Sequence, residues 1–125
     1  MNNIIKLIIE KYQDIPDFAG IKIASITSRG ISNDQLLHVA VINGDKTSVE
    51  SLLAEGAPIN EKGENGFTPL HYAVEHGHYD LVALLIACGA DKNIKNEFNE
   101  KAIDVADNLG EVEIKEYLVK EIEKK

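Results

Sequence analysis

Between residues 68 and 89 the apolar positions fall into two stripes separated by a polar break. Leu70, Ala73 and Val74 stand at i, i+3 and i+4, one face of a short helix, and the small Ala73 lets a neighbouring helix come close. Thr68 is a good N-cap, and Pro69 suits the first helical position, where a missing N–H costs nothing. Gly77 ends this helix, because glycine reaches the left-handed conformation without strain. Leu81, Val82, Leu84, Leu85 and Ile86 predict a second helix, closed by Gly89.

The pattern recurs. A shift of 33 residues lays the segment from Leu36 over that from Pro69 without a gap. Leu37, His38, Ala40, Val41, Gly44, Val49, Leu52, Gly56, Ala57 and Asn60 then meet identical residues. A second shift sets Ile103, Ala106, Gly110, Ile114 and Leu118 opposite Leu70, Ala73, Gly77, Leu81 and Leu85. Three units follow, at about 31–63, 64–96 and 97–125, separated by the polar, turn-rich stretches APINEKGENGF and ADKNIKNEFNE.

In residues 1–30, Ile4, Ile5, Ile8 and Tyr12 predict a helix covering the open end of the first unit. Ile21–Ser28 alternates like a strand and, with Ala24 and Ile26 over Ala57 and Ile59, reads as the first projecting finger. The segment EVEIKEYLVKEIEKK predicts a final helix with Val112, Ile114, Tyr117, Leu118 and Ile122 inward.

G-F-T-P-L-H-Y-A at 66–73, Gly77-His78, and L-L-I-A-C-G-A-D at 84–91 together resemble the ankyrin repeat, over about residues 30–120. The resemblance implies an all-α ankyrin-repeat solenoid of about three repeats. Its helices would pair antiparallel, with projecting β-hairpin or loop fingers and an N-terminal capping helix. The first unit departs from the motif at Asn33, Asp34, Gln35 and Leu36, and the third at Asn99, Lys101, Ala102 and Asp104. Terminal repeats meet solvent on one face, so these departures fit caps.

The stretch HYAVEHGH at 71–78 raises the possibility of a metal site. It reads H-x-x-x-E-H, which displaces the second histidine by about 100° around a helix from the zinc-binding H-x-x-E-H. The resemblance instead gives His71 and His78 scaffold roles, with His71 hydrogen-bonding near Thr68. Ser48, Ser51 and Asp45 have no histidine at suggestive spacing, and Cys88 aligns with Glu55 at a helix end without an activating base. Glu61/Glu64 and Glu97/Glu100 fall on polar turns. The expectation is no catalytic residue, no metal and no cofactor.

Composition narrows the partners. The chain has 125 residues, 44% of them hydrophobic, enough for one domain with a core. Thirteen basic against 21 acidic residues leave a net charge of −8, a poor basis for nucleic-acid binding and a good one for a basic protein. No apolar run approaches the roughly 18 residues of a membrane span. One cysteine, no signal-peptide pattern and no membrane segment lead to an expectation of a cytoplasmic protein, monomeric when free.

The resemblance implies protein binding through finger tips and first helices on a concave face. The positions the family leaves free are Ile31, Ser32, Asp34, Ile42 and Asn43; Glu64, Asn65, Phe67, Glu75 and His76; and Glu97, Phe98, Glu100, Asn108 and Leu109. Acids surrounding Phe67 and Phe98 suit a basic partner. Small acidic ankyrin proteins with an N-terminal stretch like IIEKYQDIPDFAGIK resemble the cytoplasmic immunity proteins that inhibit bacterial toxins, often basic nucleases. The alternative is a general adaptor that tethers a partner without inhibiting it.

Overall fold

A computed structural model describes residues 3–124. Seven α-helices stand among them: α1 (Asn3–Tyr12), α2 (Leu36–Ile42), α3 (Lys46–Ala54), α4 (Pro69–Glu75), α5 (Tyr79–Ala87), α6 (Ala102–Leu109) and α7 (Val112–Glu123). Short 3-10 turns occupy Pro16–Phe18 and Glu64–Gly66. Helices of 7 to 12 residues are too short to be stable alone, so their stability comes from stacking. α2, α4 and α6 form one row, each backed by α3, α5 or α7, and α1 lies against α3.

Equivalent positions bury equivalent residues. Ala40, Ala73 and Ala106 are wholly buried, which lets the first helices approach closely, and Leu52, Leu85 and Leu118 fill the space behind them. Each such leucine contributes about 1.5–3 kcal/mol. Gly77, with φ +68°, ends α4 as its sequence predicts, its N–H bonded to the Val74 carbonyl. The departures at Asn33 and Asn99 conserve backbone shape: both adopt positive φ, as Gly66 does at the same position of the middle unit. Asparagine is the residue besides glycine that most readily takes this conformation.

His38 and His71 join successive units. The His71 Nδ1 accepts the Thr68 N–H at 3.1 Å, and its Nε2 meets the Glu100 carbonyl of the next finger at 2.9 Å. His38 repeats this with the Gln35 N–H and the Glu61 carbonyl. The pattern requires neutral rings protonated at Nε2. Asp104, at the corresponding position of the last unit, accepts the Lys101 N–H but has no ring to reach further. His78 meets the Ile42 carbonyl through Nε2 at 3.2 Å, across the unit boundary.

The two ends are finished differently. At the first, Tyr12 O–H and Lys11 Nζ both bond Asp45, which also accepts the Ser48 N–H at the start of α3. Burial pushes the Asp45 carboxyl up, but these three partners outweigh it and hold the group well below the usual carboxylate range. At the other end, the buried pairs Val41/Val49 and Val74/Val82 are replaced by Asp107 and Lys115, which form an ion pair at 2.5 Å. A surface ion pair therefore stands in the third unit where the earlier units carry buried valines.

The fingers are loops and turns, the second of the two forms expected, with no strand among the described residues. Three sequence expectations are corrected. Ile21–Ser28 is not a strand, because its backbone bonds are to side chains and local turns: the Gln13 amide takes the Ile21 carbonyl and the Ile23 N–H, the Ser28 hydroxyl takes the Ala24 and Ser25 N–H groups, and the Ile21 and Ser28 N–H groups donate to the Phe18 and Ser25 carbonyls. Ile23 is buried there and Ala24 exposed, so the match of Ala24 to the buried Ala57 fails locally. Ile4, Val112 and Ile122, expected inward, are exposed on the end helices α1 and α7.

Candidate protein-binding surface

The fifteen positions that the motif leaves free occupy five registers, one residue per unit. Two registers form the finger tips. Ile31 is 68% exposed and Phe98 62% exposed, with Glu64, Asn65 and Glu97 open to solvent between them. Ser32 is half-buried. Adjacent tips are tied together, since the Glu97 N–H donates to the Asn65 carbonyl at 2.9 Å. The Asn96 side-chain oxygen accepts the N–H groups of Phe98 and Glu100, shaping the third tip so that the Phe98 ring stands clear.

The register of Asp34, Phe67 and Glu100 turns inward, and this corrects the expectation for Asp34 and Phe67. Each residue immediately precedes a helix N-cap, a position whose side chain folds back onto the helix. The Phe67 ring is 93% buried, against His71 and Tyr72. Asp34 is 97% buried and accepts Tyr72 O–H, Glu64 N–H and Ser32 O–H. Burial first, then the Asp34 charge and hydrogen bond, push the Tyr72 phenol up. Gly63 passes so close to Asp34 that any side chain there would collide with its carboxylate. Glu100 is half-buried and bonds Asn96 and Asn108.

The last two registers lie at the ends of the first helices. Asn43, Glu75, His76, Asn108 and Leu109 are exposed, and Ile42 is half-buried. The His76 Nε2 stands 3.3 Å from Glu75, and its ring stacks on His78 with centroids 6.1 Å apart. Among the described residues, no three His, Cys, Asp or Glu side chains converge as a metal-ligand set. Cys88 is exposed at the end of α5.

Ser32, Ile42, Asn43 and Glu64 converge on one groove of about 470 Å³, and Ile15, Pro16 and Asp17 form its other wall. The sequence gives no sign of these three, because the turn carrying them precedes the repeats and has no equivalent 33 residues on. Phe98 and Leu109 lie outside this groove. A second groove, of about 540 Å³, lies at the outer end between α6 and α7, away from the finger tips.

A family model for ankyrin repeats, in three copies, matches residues 1–96 and, in an overlapping placement, 37–125. No curated protein matches the sequence. Repeats of this kind are protein–protein interaction modules.

Proposed function

We infer a function from family and surface together: the chain belongs to the ankyrin-repeat family, and its exposed concave edge binds a basic protein partner. The observation that carries this reading is the row of finger tips, where two large apolar side chains, Ile31 and Phe98, flank exposed acids at Glu64 and Glu97. An exposed aromatic rimmed by charge is the composition of an interface centre, and the acids supply complementarity to a basic surface. Within that reading we assign the role of an immunity protein, which inhibits a basic bacterial toxin by covering the groove its substrate would occupy. The excess of eight negative charges supports a partner whose own groove is built for phosphates.

The test is capture from the source cell with the tagged chain, compared with Phe98→Ala, followed by assay of the captured protein's activity. The reading expects a basic protein retained by the unaltered chain, released by Phe98→Ala, and inhibited while bound. A partner that stays fully active in the complex would make the protein an adaptor. Capture indifferent to Phe98→Ala would move the binding face elsewhere.

A further inference from the structure

The end helices leave large apolar side chains uncovered, where the terminal units of a repeat protein ordinarily turn a polar face to solvent. On α1, Ile5, Ile8 and Tyr12 are buried, while Ile4 and Leu7 on the neighbouring stripe are 55% and 64% exposed. Those two form an apolar strip along the outside of the first end. On α7, Ile114 and Leu118 are buried and Tyr117 meets Tyr79 of α5. Val112 and Val119 stand on roughly the opposite side of that helix, in the groove of about 540 Å³ shared with α6. One end thus presents a protruding apolar strip and the other an apolar groove.

We propose that the two ends fit each other, the Ile4–Leu7 strip of one copy docking in the α6/α7 groove of a second copy, so that the chain associates head to tail. This goes beyond the finger-tip reading and replaces the free monomer expected from the sequence. Charge complementarity selects the occupant. The carboxylates Asp107, Glu111, Glu116 and Glu123 border the groove against two lysines, and one of these, Lys115, is already paired with Asp107. The open face of α1 carries Lys6 and Lys11 against Glu10, on a chain whose net charge is −8. Lys11 bonds Asp45, yet its side chain stays 57% exposed. Two grooves set face to face would bring acids against acids, whereas α1 brings lysines beside its apolar strip. Position supports the same occupant. In each copy α1 lies against α3 and α7 against α5, so a second copy's α1 beyond α7 adds the next helix to that row. The two copies would use different surfaces, so the contact does not close at a pair and can extend into a chain of copies. A single helix in a groove is at the small end of interface sizes, which makes the association weak.

Sedimentation of the full chain between about 10 and 500 µM tests this, and its average mass should rise across that range. Leu7→Glu removes the strip and keeps the groove; Val112→Asp spoils the groove and keeps the strip. Both positions are exposed, so melting temperatures should stay within a few degrees, and Ile4→Glu serves in place of Leu7→Glu should that variant melt early. Each variant alone should remain monomeric. Mixed in equal amounts, they should form a one-to-one pair and nothing larger, because only one strip and one groove remain. Adding Lys6→Glu to the Val112→Asp chain should weaken that pair at least threefold. A mass independent of concentration for the unaltered chain would overturn the proposal. So would a mixture that stays monomeric, a single variant that associates like the unaltered chain, or a pair indifferent to Lys6→Glu. No outside partner enters these measurements, and the Phe98→Ala capture judges the finger tips separately.

Discussion

The rings of Phe67 and Tyr72 lie 5.3 Å apart, tilted by 41°, across the start of α4. Phe67 precedes the N-cap Thr68, and Tyr72 is the fourth helical residue, so the two form the hydrophobic staple that fixes how a chain enters a helix. Truncating a buried phenylalanine leaves a cavity, and Phe67→Ala should cost about 3 kcal/mol of stability. Phe98, equally aromatic and 62% exposed, should lose no more than about 0.5 kcal/mol on the same change, while weakening partner binding at least tenfold. Urea unfolding of the two variants side by side checks the contrast. Equal losses would place both rings in the same environment.

That pair also marks where the sequence stops being legible. A period of 33 residues identifies equivalent positions, and the helices, Gly77 and the Thr68–His71 bond follow from local chemistry repeated in register. Whether a given position faces solvent depends on its distance from the helix start. The signal for Phe67 was present, an aromatic five residues ahead of it at Tyr72, whereas the motif treats its position as free. Asp34 gave less warning, since two of its three donors come from Glu64 and Tyr72, about one unit away. Ile4 and Val112 mislead for a different reason. An apolar stripe names a face but not whether anything covers it, and both residues are exposed on the end helices. Asp17 and Ile15 lie where no repeat offers a comparison.

Gly77 tests the backbone directly. A β-branched residue at φ +68° costs about 1–3 kcal/mol, and a side chain there also approaches the Glu111 carboxylate. Gly77→Val should therefore lower the melting temperature clearly. Gly77→Asn should lower it less, because asparagine already holds positive φ at positions 33, 65 and 99 of this chain. Thermal melting of both variants checks the order, and equal losses would point to crowding rather than backbone strain.

Acid should weaken the fold through His38 and His71. Burial lowers both imidazoles below their ordinary value of about 6.5, against the smaller raising effect of the carbonyls they meet. The unfolded chain then takes up protons first as the pH falls. The stability of the neutral rings is complete above about pH 6.5 and is lost progressively below it, toward the folded values. Each ring contributes at most about 1.4 kcal/mol per pH unit. The Asp45 carboxyl, depressed by its partners, contributes its own loss only below about pH 4, so the two windows separate. Urea midpoints should change little between pH 7.5 and 6.5 and fall between 6.5 and 5.5, and the double variant His38→Asn, His71→Asn should be less stable but flatter over the same range. An unchanged slope would assign the acid sensitivity to other groups.

Association with a basic partner should depend on the acids that remain free at the finger tips and first-helix ends. Glu64, Glu75 and Glu97 are exposed. Glu100 does not belong with them, because both of its carboxylate oxygens are engaged, one with Asn96 and one with Asn108, and Glu100→Gln would disturb the third finger as well as its charge. Replacing the three exposed glutamates with Gln removes three negative charges from the face without removing a buried contact. Long-range attraction speeds encounter more than it slows departure, so the triple variant should show a lower on-rate with a nearly unchanged off-rate. Raising salt from about 50 to 500 mM shortens the screening length to a few ångströms and should slow the unaltered chain more than the variant. Stopped-flow association at several salt concentrations separates these effects. An on-rate indifferent to both salt and the three substitutions would leave Ile31 and Phe98 as the source of recognition and remove the basic character assigned to the partner.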